Sequence, residues 1–156
     1  MESVYLETTL ISYLVARPSR DVIVAGHQQI THDWWANRRS RFECLVSQVV
    51  IDEASLGDPD EVQKRLSIIS GLPSLEVTED TNALTKAIMA SGILPPHAFP
   101  DAAHVAVSAV NAIDYLLTWN CKHLANAHIA RRIAVVCEQL SCKMPIICTP
   151  EELMGV

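Results

Sequence analysis

Short apolar runs alternate along this chain with longer segments in which apolar residues recur every three or four positions. Runs of the first kind read as buried strands and segments of the second kind as helices with one face on a core. The strand candidates are Val4 to Glu7, Phe42 to Val46, Leu75 to Val77, Tyr115 to Thr118 and Pro145 to Cys148. Helical spacing covers Thr9 to Val15, Asp21 to Arg38, Gln48 to Leu56, Pro59 to Ile69, Asp80 to Ser91, Asp101 to Asn111 and Ala125 to Leu140. Gly57-Asp58-Pro59, Gly71-Leu72-Pro73 and Leu94-Pro95-Pro96 break the pattern where turns are needed. Strand and helix in alternation are the rhythm of βαβ units, so the expected fold is a three-layer α/β/α sandwich with a short-stranded, mostly parallel sheet. No repeat or long linker divides residues 1–156, and one domain is expected.

Four polar residues interrupt the apolar pattern. Glu7 ends Ser-Val-Tyr-Leu, Glu53 lies in a helical stretch, Asp101 opens an Ala/Val-rich helix, and Asn120 ends Tyr-Leu-Leu-Thr-Trp. Glu7 and Asn120 follow strands, and open α/β sheets place their sites at the carboxyl ends of strands, near the switch in strand order. Glu53 stands three and four positions after Val50 and Val49, so a helix turns its carboxylate to their side. Each acid also has a plainer reading. An Asp before a helix is commonly an N-cap, worth about 1 kcal/mol; Glu7 can cap the helix after it, and Glu53 can be solvated.

Composition narrows the chemistry. With 12 Lys and Arg against 18 Asp and Glu, the chain carries a formal charge of −6 and lacks the broad basic footprint of a nonspecific nucleic-acid binder. Nucleic-acid contact must therefore be local or bridged by metal. Five cysteines without a Cys-x-x-Cys pair fit a reducing cytoplasm better than a disulfide framework. The N-terminal residues show no basic segment leading into an apolar signal core, and no membrane-length apolar run occurs, so a soluble, unprocessed, cytoplasmic protein is expected. Clustered carboxylates raise one another's pKa unless a cation compensates them. Oxygen ligands suit Mg²⁺ or Mn²⁺, either of which can activate water for attack on a phosphodiester.

The segments VYLETTLISYL, VSQVVIDEASLGDP, PDAAHVAVSAV and YLLTWNCKHLAN resemble the PIN-domain family, and within it the VapC-type ribonuclease toxins of toxin–antitoxin modules. The resemblance implies a metal-dependent endoribonuclease in which Glu7, Glu53 and Asp101 are Mg²⁺ or Mn²⁺ ligands and Asn120 is a fourth polar catalytic position. It places supporting hydroxyls at Thr9 and Thr118. An RNA substrate, a homodimer and a cognate antitoxin are implied as well. Two departures from the family pattern stand out: Glu7 is one methylene longer than the usual Asp, and Asn120 is neutral where many members have an acid. The alternatives are a catalytically weak PIN-like module that binds RNA or protein, or a metal-dependent DNA nuclease.

Further candidates come from the residues themselves. His104 falls three positions after Asp101, on nearly the same helix face, where it can orient phosphate, shuttle a proton or simply fill the core. His123 bears the same spacing to Asn120 and reads as a loop residue. Trp34, Arg38, Arg39 and Arg41 put an aromatic ring beside the densest basic cluster, a combination that holds single-stranded RNA; a core or interface role for a Trp there competes with it. Cys121, His123, His104 and His128 lack a paired zinc spacing. Cys121 beside Lys122 and His123 is the one thiol with a nucleophile's neighbours, and packing near the strand end is the expectation for it.

Overall fold

A computed structural model describes residues 1–155. Five strands, β1 (Ser3–Leu6), β2 (Glu43–Ser47), β3 (Ser74–Leu75), β4 (Tyr115–Leu117) and β5 (Ile146–Cys148), form one sheet in the order β3-β2-β1-β4-β5. Every pairing is parallel, with Tyr5 opposite Leu45 on one side and Leu116 on the other. Parallel neighbours need crossovers, and seven helices supply them: α1 (Thr8–Val15), α2 (Val22–Asn37), α3 (Gln48–Ala54), α4 (Pro59–Ile69), α5 (Glu79–Ala90), α6 (Phe99–Val110) and α7 (Ala127–Gln139). Helix α1 packs against α2, α3 and α4, and α5 against α6 and α7. With right-handed crossovers, the reversal of strand order at β1 puts these two groups on opposite faces of the sheet, giving the α/β/α sandwich expected from the alternating pattern.

Burial on both faces explains why the central strands are apolar without alternation. Val4, Tyr5 and Leu6 in β1 and Leu116 and Leu117 in β4 are all inaccessible to solvent. Helix starts follow local chemistry. The Asp21 carboxylate accepts from the amides of Ile23 and Val24, Asp58 accepts from Glu61 ahead of Pro59, and Asn126 accepts from Ile129. Gly57 takes φ +100°, a left-handed turn between α3 and α4 that a side chain would strain.

Helix α6 begins at Phe99, two residues ahead of the expected start. Pro100 sits in its first turn, where the missing N–H removes no helical bond, so the proline extends the helix rather than preceding it. Asp101 is therefore not an N-cap. The cap residue is Ala98, which makes no side-chain bond, and Asp101 lies inside the first turn at the positive end of the helix dipole.

Candidate active site

The reversal of strand order falls between β1 and β4, and the polar residues gather at the carboxyl ends of those strands. Glu7 directly follows β1, and its amide donates to the Leu117 carbonyl at 3.1 Å, so backbone pairing holds the residue against β4. Its side chain is 4% exposed. One oxygen, Oε2, accepts from the Thr9 amide (3.1 Å), the Thr9 hydroxyl (2.5 Å) and the Thr118 hydroxyl (2.8 Å). Glu7 is thus the N-cap of α1, as the plainer reading has it, but only through Oε2. The other oxygen, Oε1, faces His104 Nε2 at 3.8 Å, beyond hydrogen-bond distance.

Glu53 and His104 complete this half. Helix α3 packs on α6, bringing Glu53 Oε1 within 2.5 Å of His104 Nε2, and the Thr8 hydroxyl donates to the same oxygen at 2.7 Å. His104 is wholly buried, and its Nδ1 meets the Tyr5 hydroxyl at 2.7 Å, which also meets Ser47 Oγ at 2.7 Å. Tyr5 and Glu7 lie two apart and so emerge on the same face of the sheet, which is why the phenol reaches beneath the carboxylate. Tyr5, Thr8 and Ser47 are absent from the sequence-derived set. The usable signal was that a buried Tyr hydroxyl needs a partner.

Asp101 and Asn120 form the other half. Asp101 Oδ1 accepts from the Asn120 side-chain Nδ2 at 3.2 Å, and Oδ2 is 2.9 Å from His123 Nδ1. Asn120 Oδ1 in turn accepts from the His123 amide at 2.9 Å, closing a small ring. His123 is therefore more than a loop residue, since it holds the carboxylate of Asp101. Thr118 joins the halves: its hydroxyl donates to Glu7 and accepts from the Asn120 amide at 2.9 Å. Thr9 does the same, accepting from the Trp119 amide at 2.9 Å.

The charges are balanced from within. Burial pushes the His104 pKa down, but the hydrogen bond that Nε2 donates to Glu53 and the carboxylates of Glu7, Glu53 and Asp101 outweigh it and hold the imidazole above its ordinary 6.5. For Glu53, burial opposes ionisation, yet the bonds from His104 and Thr8 carry its pKa below 4.5. The surrounding carboxylates thus favour the protonated imidazole. One oxygen each from Glu7 and Glu53 and one nitrogen from His104 lie within 4.8 Å of one another. Ligand atoms placed 2.0–2.1 Å from an Mg²⁺ stand about 3 Å apart when adjacent and about 4.2 Å when opposite, so this group fits such an ion after a small opening of the His104–Glu53 contact. Asp101 lies outside that close set and reaches it as a charge felt by His104.

The basic segment expected to contact RNA lies away from the acidic cluster. Trp34 is inaccessible and stacks on Phe42 with centroids 6.0 Å apart, because the inward face of a long helix must be buried. Arg39 covers Trp35 at 4.2 Å from the ring centroid, and Arg38 Nε is buried. Arg38, Arg39 and Arg41 precede β2, so in a parallel sheet they stand at the amino-terminal edge, the opposite end from Glu7 and Asn120. Neither Cys121 nor Cys148 has the lowered pKa of an activated thiol: burial, with the Glu152 charge, raises Cys121, and burial pushes Cys148 up to about 12. Among the described residues, no cysteine joins a metal-ligating group.

Strand order, helix layers and the crevice at the β1/β4 switch define a PIN-like fold. Solved VapC toxins share it. The structure of VapBC2 from Rickettsia felis, bound to a DNA fragment from its promoter, matches with a TM-score of 0.61 and 14% identity over 94% of this chain and 97% of that one. VapC20 of Mycobacterium tuberculosis, a toxin that cleaves the sarcin–ricin loop, matches at 0.55 and 15% over 77% and 92%. DNA-bound VapBC from Salmonella typhimurium matches at 0.56 and 15% over 96% and 99%. No protein-family model and no curated protein matches the sequence. At these identities the likeness establishes the fold.

Proposed function

We propose that this protein is a metal-dependent endoribonuclease, the toxin of a toxin–antitoxin pair, with Glu7, Glu53 and Asp101 holding Mg²⁺ or Mn²⁺. One observation carries the reading: two carboxylates and an imidazole present ligand atoms within 4.8 Å at the switch point of a fold shared with VapC toxins. The ion would polarise the scissile phosphate and lower the pKa of an attacking water. The chain's own residues prepare the site. Thr9 and Thr118 lock Glu7 Oε2 and leave Oε1 turned inward. Asn120 and His123 aim Asp101 from the opposite wall. His104 carries a proton between carboxylates while no metal is bound and, once deprotonated, offers Nε2 as a ligand or a proton acceptor.

The rest of the reading has separate support. Two of the similar structures are VapBC complexes, which favours an antitoxin partner here. Val22 and Ile23, 85% and 70% exposed at the start of α2, suit a homodimer contact. No helix among the described residues is long and apolar enough to cross a membrane, and the cysteines are free, which together favour the cytoplasm. The test is cleavage of a mixed structured and unstructured RNA pool with Mg²⁺, with Mn²⁺ and with EDTA. Asp101→Asn protein, purified identically, controls for contaminating nuclease. Metal-dependent cleavage lost in the variant is expected, and cleavage unchanged in the variant or in EDTA would overturn the reading.

A second reading has its own observation. Because His104 already closes on Glu53, the cluster is satisfied without metal, as in a binding module with a structural acidic pocket. RNA binding without cleavage in either metal would favour it.

A further inference from the structure

Beside the acidic cluster lies a half-open cavity of about 360 Å³, walled by α3, α5 and the start of α6. We propose that it is a subsite for one unpaired nucleobase of the RNA, an inference that rests on the ribonuclease reading and assigns a position-specific contact to that site. Glu53 belongs both to the cavity wall and to the metal-ligating group. A base and its phosphate are joined by a single ribose, so a phosphate at the cluster places a neighbouring base within reach of the cavity.

Its lining fits a base and opposes a phosphate. Phe99 and Val77 are 50% and 39% exposed, and because they share one cavity they form a contiguous apolar patch rather than scattered surface residues. Both line the cavity, with Val49 and Pro100. An aromatic face left half open is what a base stacks on, and stacking tolerates any ring. The volume is near the lower end of small-molecule sites, about 300–1,000 Å³, which suits one ring system. No cationic side chain lines it, while the carboxylates of Asp52 and Glu53 do. Phosphate is repelled there, and a base is not.

The same carboxylates give a preference. A carboxylate accepts from an exocyclic amino group, as on adenine, cytosine or guanine, whereas uracil has no such group and offers only its ring N3–H, flanked by two carbonyl oxygens that a carboxylate opposes. Gln48 donates to Asp52 at 2.8 Å, and this exposed pair is free to rearrange onto a base edge. The occupant is therefore an amino-bearing base in single-stranded RNA.

The experiment uses full-length protein and fluorescein-labelled hexaribonucleotides in which one nucleotide at a time is abasic. Binding is titrated by anisotropy in Ca²⁺, and cleavage sites are mapped in Mn²⁺. A single position should weaken binding about tenfold when its base is removed, and uridine there should bind more weakly than adenosine or cytidine. Phe99→Ala should abolish that difference, lowering affinity for the complete RNA to that of the abasic one. Phe99→Leu keeps an apolar side chain without the stacking face and should behave alike, and both variants should melt close to wild type. RNA that is bound and cut, with a flat abasic scan or an abasic effect retained in both variants, overturns the subsite alone. A uridine preference overturns the amino-base assignment. Failure to bind or cut any RNA overturns the ribonuclease reading and the subsite with it.

Discussion

Glu7 and His104 lie buried and Glu53 reaches them from the rim with its side chain 33% exposed, while Thr8, Thr9, Thr118 and Tyr5 fix each group from outside. Asp101, Asn120 and His123 sit across the crevice, partly exposed, and hold chiefly one another. Around Glu7 and His104 burial leaves no water to replace a lost partner, so geometry there and the protein's stability are linked. In the open half solvent can substitute, so a residue there can change metal affinity with little effect on folding.

The sharpest way to break this contrast is to delete Glu7. Glu7→Ala leaves two hydroxyls and an amide without their acceptor and strips His104 of a neighbouring carboxylate. Removing one member of such a buried charged group costs about 3–5 kcal/mol. Urea denaturation should register the loss, whereas His123→Ala should stay within about 1 kcal/mol of wild type. Next comes Tyr5→Phe, which removes the buried partner of both His104 Nδ1 and Ser47 Oγ and should cost about 1–3 kcal/mol in the same assay.

Asn120→Asp probes the open half. The substitution replaces an amide-to-carboxylate bond at 3.2 Å by two facing acids. Metal-free protein should lose about 0.5–1 kcal/mol, while calorimetry should show tighter Mn²⁺ binding than wild type. Unchanged affinity would mean that Asn120 does not border the ion.

The smallest expected effect is a pH dependence of the metal-free protein. His104 is raised above 6.5 in the fold, so its contribution is complete below that value and fades as pH rises through the raised one. Glu53 is held below 4.5, so its contribution is present above that value and fades as pH falls through the lowered one. Stability in EDTA should therefore be greatest between about pH 4.5 and 6.5 from these two groups, and His104→Asn should remove the decline above it. Metal affinity should move oppositely, rising with pH as the His104 proton ceases to compete.

Much of this architecture is legible in the residues. Apolar runs before Glu7 and before Thr118 mark β1 and β4, and the helix over Pro59–Ile69 matches its predicted span because Asp58, Pro59 and the following acids leave little choice of start. What eludes the sequence is set by tertiary direction. The Trp-Trp-Arg segment carries the composition of an RNA contact, yet the rotation of α2 turns Trp34 inward and the strand direction sends the arginines to the far edge. His123 looks like a loop residue until the turn after β4 folds it onto Asp101, 22 positions earlier. His104 is legible as a neighbour of Asp101 along the helix, but its contact with Glu53 depends on α3 packing against α6.

On the proposed reading, the cluster at the β1/β4 switch holds a divalent ion. Calorimetric titration of Mn²⁺ into metal-free wild type and Glu53→Gln, at a pH above the His104 transition, tests it most directly. Saturable binding to wild type is expected, weakened at least about tenfold when the Glu53 charge is removed. Equal affinity in both proteins, or no binding to either, would contradict it.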